Sequence, residues 1–137
     1  MALTWDESFV LGIDEIDHQH QSIVEHFGKF STAIQEGCAT ELLLDMATFL
    51  DGYAKEHFAT EERIMEKYHY PRIAEQRHEH AEFTRDADEL LRRIVNEGAS
   101  REIAAELAGK MVRWVIQHIR NHDHAMAEFV KECMERE

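Results

Sequence analysis

Ten histidines occur in a chain of 137 residues, and several stand where helical spacing predicts buried side chains. His20 shares a stripe with Ile23, Val24, Phe27, Phe30 and Ile34, and His57 and Glu61 fall in register with Met46, Leu50, Tyr53 and Ile64. His80 lies in the series Ile73, Gln76, Phe83, Ala87, Leu90 and Ile94, and His118 in the series Ile103, Leu107, Met111, Trp114 and Phe129, which also passes His122. A buried polar group without a partner costs several kcal/mol at worst, so this set would destabilise a core unless something satisfied its members together. A bound cation does that. Imidazoles and carboxylates without thiolate suit iron, manganese or zinc, and inward carboxylates able to bridge favour a pair of ions. On the fourth segment the spacing leaves a choice: His118 and His122 share a face at i, i+4, whereas Asp123 is turned about 140° from His118 on a regular helix, so the wheel favours His122.

The elements that must position these groups are helices. One Pro and six Gly stand against abundant Ala, Leu, Ile, Glu, Lys, Arg and Met, a composition that favours long helices over sheet. Turn signals at Gly37 to Thr40, Tyr68 to Pro71 and Gly98 to Ser100 divide the chain into four helical stretches. Such short links predict an all-α fold, an antiparallel up-down-up-down four-helix bundle over residues 17–137, preceded by a non-helical N-terminal arm over 1–16. Asp17 is the expected N-cap of the first helix, the second begins after Thr40, Pro71 suits the opening of the third, and Ser100 caps the fourth. In that arrangement His20 and His80 lie near the starts of their helices and His57, Glu61, His118 and Asp123 toward the ends of theirs. All therefore meet at one end of the bundle, within a turn or two in height.

The formal net charge of -13 argues against nucleic acid as a partner, because a phosphate backbone needs a clustered cationic surface. Met1 to Gly12 lacks the basic flank of an export signal, and no run approaches the roughly 20 apolar residues that span a bilayer, so the expectation is one soluble, cytoplasmic domain with no membrane contact. Cys38 and Cys133 stand far apart and read as reduced thiols. Glu62 and Arg63, beside Glu61, read as ordinary solvated surface.

These residues resemble the hemerythrin family, in particular its bacterial single-domain branch, over essentially the whole chain. Trp5-Asp6-Glu7-Ser8-Phe9 followed by Gly12-Ile13-Asp14-Glu15-Ile16-Asp17-His18-Gln19-His20-Gln21 looks like the family's opening segment. His57-Phe58-Ala59-Thr60-Glu61-Glu62 looks like its H-F-x-x-E motif, Tyr70-Pro71 leading to His80-Ala81-Glu82-Phe83 is similar to its third-helix motif, and the run from Trp114 through His118 to Asp123 resembles the fourth. The resemblance implies metal ligands His20, His57, His80 and His118 with bridging carboxylates Glu61 and Asp123, and so takes Asp123 over His122. It implies two non-haem iron ions bridged also by an oxo or hydroxo group, with dioxygen as the ligand.

One departure stands out. The family has His-x-x-x-His on the third helix, and the first position of that pair is Gln76 here. A glutamine oxygen there coordinates weakly or leaves the place to water. His78 lies about 200° around the helix from His80 and does not substitute for it. Phe58, Trp114, Val115 and Ile119 are the expected wall of the ligand pocket, and His18, His26, His69, His78, His122 and His124 are expected at the surface or behind the ligands. The resulting expectation is reversible dioxygen binding as carrier, store or delivery protein, without turnover. The alternatives are a di-iron enzyme acting on peroxide or nitric oxide beside Gln76, and an oxygen-sensing module.

Overall fold

A computed structural model describes residues 7–37 and 39–137; Trp5 and Asp6 of the opening motif and Cys38 lie outside them. Three long helices, α1 (Asp14–Gln35), α2 (Ala39–Lys67) and α3 (Ile73–Glu97), are followed by α4 over residues 101–135. The described residues contain no strand, and the helices form the all-α bundle. No described helix is long and apolar enough to cross a membrane.

Helix α1 starts three residues before the expected cap. Ile13, in an extended conformation, holds the N-cap position without a side-chain hydrogen bond, and Asp14, Glu15 and Asp17 place negative charge in the first turn, where the helix dipole favours it. Asp17 has a different task from capping. Its Oδ1 accepts from the Leu11 N–H at 2.7 Å and its Oδ2 from the Gly12 N–H at 3.0 Å, so its carboxylate satisfies two backbone donors of the arm. Gly12 takes φ +87° at this turn, a conformation costly for any residue with a Cβ. The arm itself carries a single 3₁₀ turn, Glu7–Phe9, and buries Phe9, Leu11 and Ile13 against the bundle.

The expected inner stripes are met with local exceptions. On α1 the buried row continues in three-residue steps through Val24, Phe27, Phe30 and Ala33, which leaves Ile34 39% exposed instead of inside. On α2, Leu43, Ala54 and Met65 are buried together with Met46 and Leu50, while Tyr53 and Ile64 are only partly covered. Helix α3 buries Gln76, His80, Phe83, Ala87, Leu90 and Ile94, as the periodicity predicts. It begins at Ile73 behind Arg72, so Pro71 sits in the preceding turn. Gly98 ends it with φ +86° and an N–H bonded to the Ile94 carbonyl.

Ser100 caps α4 as expected, its Oγ accepting from the Ile103 N–H at 3.1 Å. This helix is not uniform. α-Helical Arg101–Glu106, Arg113–His118 and His124–Glu135 are joined by π-helical Leu107–Val112 and Ile119–Asp123. The π stretches widen the turn without breaking the chain direction, since the junction residues keep helical dihedrals.

The apolar interior falls into two clusters. The larger runs from Ile23, Phe27 and Phe30 through Leu50, Phe58 and Phe83 to Met111, Val115 and Ile119. The smaller joins Leu11, Ile13 and Ile16 to Met65, Tyr70, Met126, Ala127 and Val130. On every helix the change from one cluster to the other falls at the polar residues: His20 between Ile16 and Ile23, Glu61 between Phe58 and Met65, His80 between Ile73 and Phe83, Asp123 between Ile119 and Met126.

Candidate metal centre

The polar layer between the two cores contains His20, His57, Glu61, Gln76, His80, His118 and Asp123, all buried. Two groups of potential ligand atoms converge there. One comprises His20, His57, Glu61 and Asp123, the other Glu61, His80, His118 and Asp123, and within each group the atoms lie within 4.8 Å of one another. Both carboxylates belong to both groups.

Distances show how the sharing works. Asp123 presents Oδ2 to His20 Nε2 at 3.2 Å and Oδ1 to His118 Nε2 at 3.2 Å, one oxygen toward each half. Glu61 Oε1 lies 3.4 Å from His57 Nε2 and 3.2 Å from His80 Nε2, and its Oε2 3.9 Å from His20 Nε2. The imidazoles face each other in pairs, His20 and His57 Nε2 to Nε2 at 3.0 Å, His80 and His118 at 3.2 Å. Four helices thus aim four ring nitrogens at two shared carboxylates.

Helix α4 presents Asp123 because of its π turn. In an i→i+5 ladder residue i+5 comes nearly above residue i, which brings Asp123 over His118, whereas a regular α-helix would bring His122. His122 instead turns out between helices, with side-chain exposure of 26%, its ring nitrogens 3.7 Å from Glu75 and 3.6 Å from Glu79.

Electrostatics oppose this assembly unless a cation joins it. Burial, and then the neighbouring His20, hold the His57 imidazole well below its usual 6.5. Burial also lowers His80, to about 4, against the Glu62 hydrogen bond that raises it. Burial and the Asp123 charge push the Glu61 carboxyl well above the ordinary carboxylate range. Asp123 remains ionised: burial raises it, but His118 and His20 outweigh that and hold it well below 3.8. Neutral imidazoles are the metal-ligating form. Both Glu61 oxygens, Asp123 Oδ2 and Gln76 Oε1 are buried without any hydrogen-bond partner, and acceptors in that condition fit a positive ion between them.

Behind the rings lie residues that sequence reasoning missed. His57 Nδ1 donates to Gln19 Oε1 at 2.8 Å; Gln19 is fixed in turn by donating from Nε2 to Thr60 Oγ at 3.1 Å and by accepting the Tyr53 hydroxyl on its backbone oxygen at 2.5 Å. That burial pushes the Tyr53 phenol up to about 12. His80 Nδ1 donates to Glu62 Oε2 at 3.0 Å. The expectation that Glu62 is plain solvated surface is therefore corrected: its other oxygen takes Arg77 Nε at 3.3 Å, and Arg77 also pairs with Glu66. A ring held through Nδ1 in this way keeps its Nε2 lone pair aimed inward. The signal was available in principle, because each inward imidazole calls for an acceptor beside its helix stripe.

The four expected wall residues are close by. Phe58 stacks on His80 at 3.9 Å between centroids, and Trp114 on His118 at 4.4 Å. Val115 and Ile119 are buried in the larger core cluster on the same helix as His118. A groove of about 880 Å³ along α2 and α3 reaches Phe58, Glu62 and His80, and a smaller one of about 160 Å³ between α3 and α4 reaches Trp114 and His118. His78 pairs with Glu82 at the surface, and His26 stacks on Phe49 away from the layer.

Comparison with known proteins agrees with this geometry. Residues 11–130 match the family described as the hemerythrin HHE cation binding domain. Bacteriohemerythrin of Stenotrophomonas maltophilia is 33% identical over 132 residues, covering 94% of this chain and 82% of that protein. Bacteriohemerythrin of Pseudomonas aeruginosa is 33% identical over 141 residues, covering 97% and 90%. Myohemerythrin of Riftia pachyptila is 26% identical over 119 residues, covering 87% and 86%. With that domain matched over residues 11–130, and relatives 33% identical over nearly the whole chain, the chain belongs to the hemerythrin family.

Proposed function

We propose that this chain binds dioxygen reversibly at a pair of non-haem iron ions, as a cytoplasmic single-domain carrier, store or delivery protein. The observation that carries the reading is the sharing of Glu61 and Asp123 by both groups of donors, with one Asp123 oxygen turned to each. His20 and His57 would hold one ion and His80 and His118 the other, with Glu61 and Asp123 available to both. When bound, the iron pair supplies two reducing equivalents that a dioxygen molecule accepts and returns.

The protein's part is to hold and to shield. Gln19 and Glu62 orient His57 and His80 through their Nδ1 protons. Phe58 and Trp114, stacked on two of the rings, and Val115 and Ile119 in the adjoining core exclude water, which opposes irreversible loss of the ligand in a partly reduced form. The negative surface supports a chain that binds no nucleic acid.

The test is an anaerobic iron-loaded sample exposed to oxygen and then to vacuum while its visible spectrum is followed. A spectrum that appears and then reverses supports reversible binding; a permanent change on first exposure overturns it. Gln76 favours a second reading, turnover of peroxide or nitric oxide at the ion beside it, because an amide is a weaker donor than an imidazole. Steady consumption of either compound by the loaded protein would decide for that reading.

A further inference from the structure

The two halves of the centre receive identical sets from the protein, two imidazoles and the same two carboxylates. An iron ion held by two imidazoles and shared carboxylates retains positions for exchangeable ligands, so what else approaches each half decides how many positions open. At the His80/His118 half one further buried polar side chain, Gln76, reaches the shared carboxylates. Its Nε2 donates at 3.2 Å to Asp123 Oδ1, the oxygen turned toward His118. The reverse assignment of the amide would set its oxygen against a carboxylate oxygen, so the donor atom is fixed by its partner. Gln76 Oε1 is then an acceptor, fully buried and without a donor. His78 does not fill the place, since its side chain is 72% exposed and paired with Glu82.

We propose that the ion between His80 and His118 carries its own exchangeable-ligand position, separate from that on the His20/His57 ion, and filled at rest by water or hydroxide whose O–H donates a hydrogen bond to Gln76 Oε1. This rests on the di-iron reading above. Gln76 acts here as a positioning residue: its nitrogen steadies the bridging Asp123, and its oxygen selects small ligands that bring an O–H or N–H. A ligand without a proton would leave Oε1 buried and unpaired, and so bind there less tightly.

Azide, a small anion without a proton to donate, tests this by titration into the oxidised, iron-loaded full chain, followed by visible absorbance together with iron analysis. The expected result is two azides per iron pair, the second weaker, and a single azide in Gln76→His, where an imidazole would occupy the place. Gln76→Leu removes the unpaired acceptor and is expected to keep two steps with the second tightened about tenfold or more. One azide in the wild type with two irons bound would mean that Oε1 itself fills the position, and would overturn this inference while leaving the di-iron reading intact. An unchanged second step in Gln76→Leu would overturn the role given to the amide oxygen. Fewer than two irons per chain would remove the di-iron reading and this inference with it.

Discussion

The His20/His57 half and the His80/His118 half of the centre offer the same donors but rest on different supports. Behind His57 stands Gln19, neutral, and tied to Thr60 and Tyr53 within the protein. Behind His80 stands Glu62, acidic, half-buried at a groove and bound to Arg77. A carboxylate behind a ligating imidazole makes the ring a stronger donor than an amide does. Equal ligand sets need not make equal sites: besides Gln76 at the His80/His118 half, the side chains that stand behind the ligating rings differ.

The severest test removes what the halves share. Glu61→Gln takes away a charge that both donor groups use, so both ions are expected to be lost, with iron per chain falling close to zero by elemental analysis. Retention of both ions would show that the halves are independent and that Glu61 does not bridge. Next in size, Glu62→Ala should weaken only the His80/His118 half, by about 10 to 100-fold in metal affinity. Competition with a chelator should then release one ion well before the other. Gln19→Ala should do the same to the opposite half, and a variant that loosened both ions equally would end the distinction drawn between them.

Protonation of the metal-free protein sharpens the contrast further. Burial lowers both rings, but the Glu62 hydrogen bond opposes it at His80, which is held at about 4, whereas His57 lies well below 6.5 with no such acid behind it. On acidification, the His80 imidazole resonances should therefore shift near pH 4 and at lower pH in Glu62→Ala; an unmoved step in the variant would contradict the assigned support. The same shifts affect folding. Between the unfolded value near 6.5 and the folded value of about 4 for His80, the unfolded chain binds more protons, so stability falls as pH drops through that window. Glu61 acts in the opposite sense, since its folded value lies well above 4.5 and its contribution is lost as pH rises toward that value. In metal-free Glu61→Gln, where this opposing contribution is absent, the melting temperature should decline steadily from about pH 6.5 to about pH 4.

Much of this was legible from residue spacing. Inward polar residues in an apolar series located His20, His57, Glu61, Gln76, His80 and His118, because a period of 3.6 states which face a residue occupies. Ile34 was misplaced because positions 33 and 34 straddle the stripe, and the tertiary row, not the helix period, selects Ala33. Asp17 was misread as a cap because its partners, the Leu11 and Gly12 amides, belong to an arm whose path spacing does not describe. Gln19 and Glu62 escaped because their roles arise from contacts to other helices, which periodicity within one helix does not encode.

The choice between His122 and Asp123 was hidden for a more specific reason, since a regular wheel assumes i→i+4 bonding and the chain adopts i→i+5 bonding over Ile119–Asp123. The smallest expected effect follows from that switch. His122 faces Glu75 and Glu79 at a partly exposed position, at distances of 3.7 and 3.6 Å, so His122→Ala should change stability by no more than about 0.5 kcal/mol. Iron content should be unaltered. Asp123→Ala, one residue further, removes an oxygen from each half and should lose metal from both. If the two variants exchanged their effects, α4 would be a regular helix in solution, and the π turn would not be what delivers the second carboxylate to the centre.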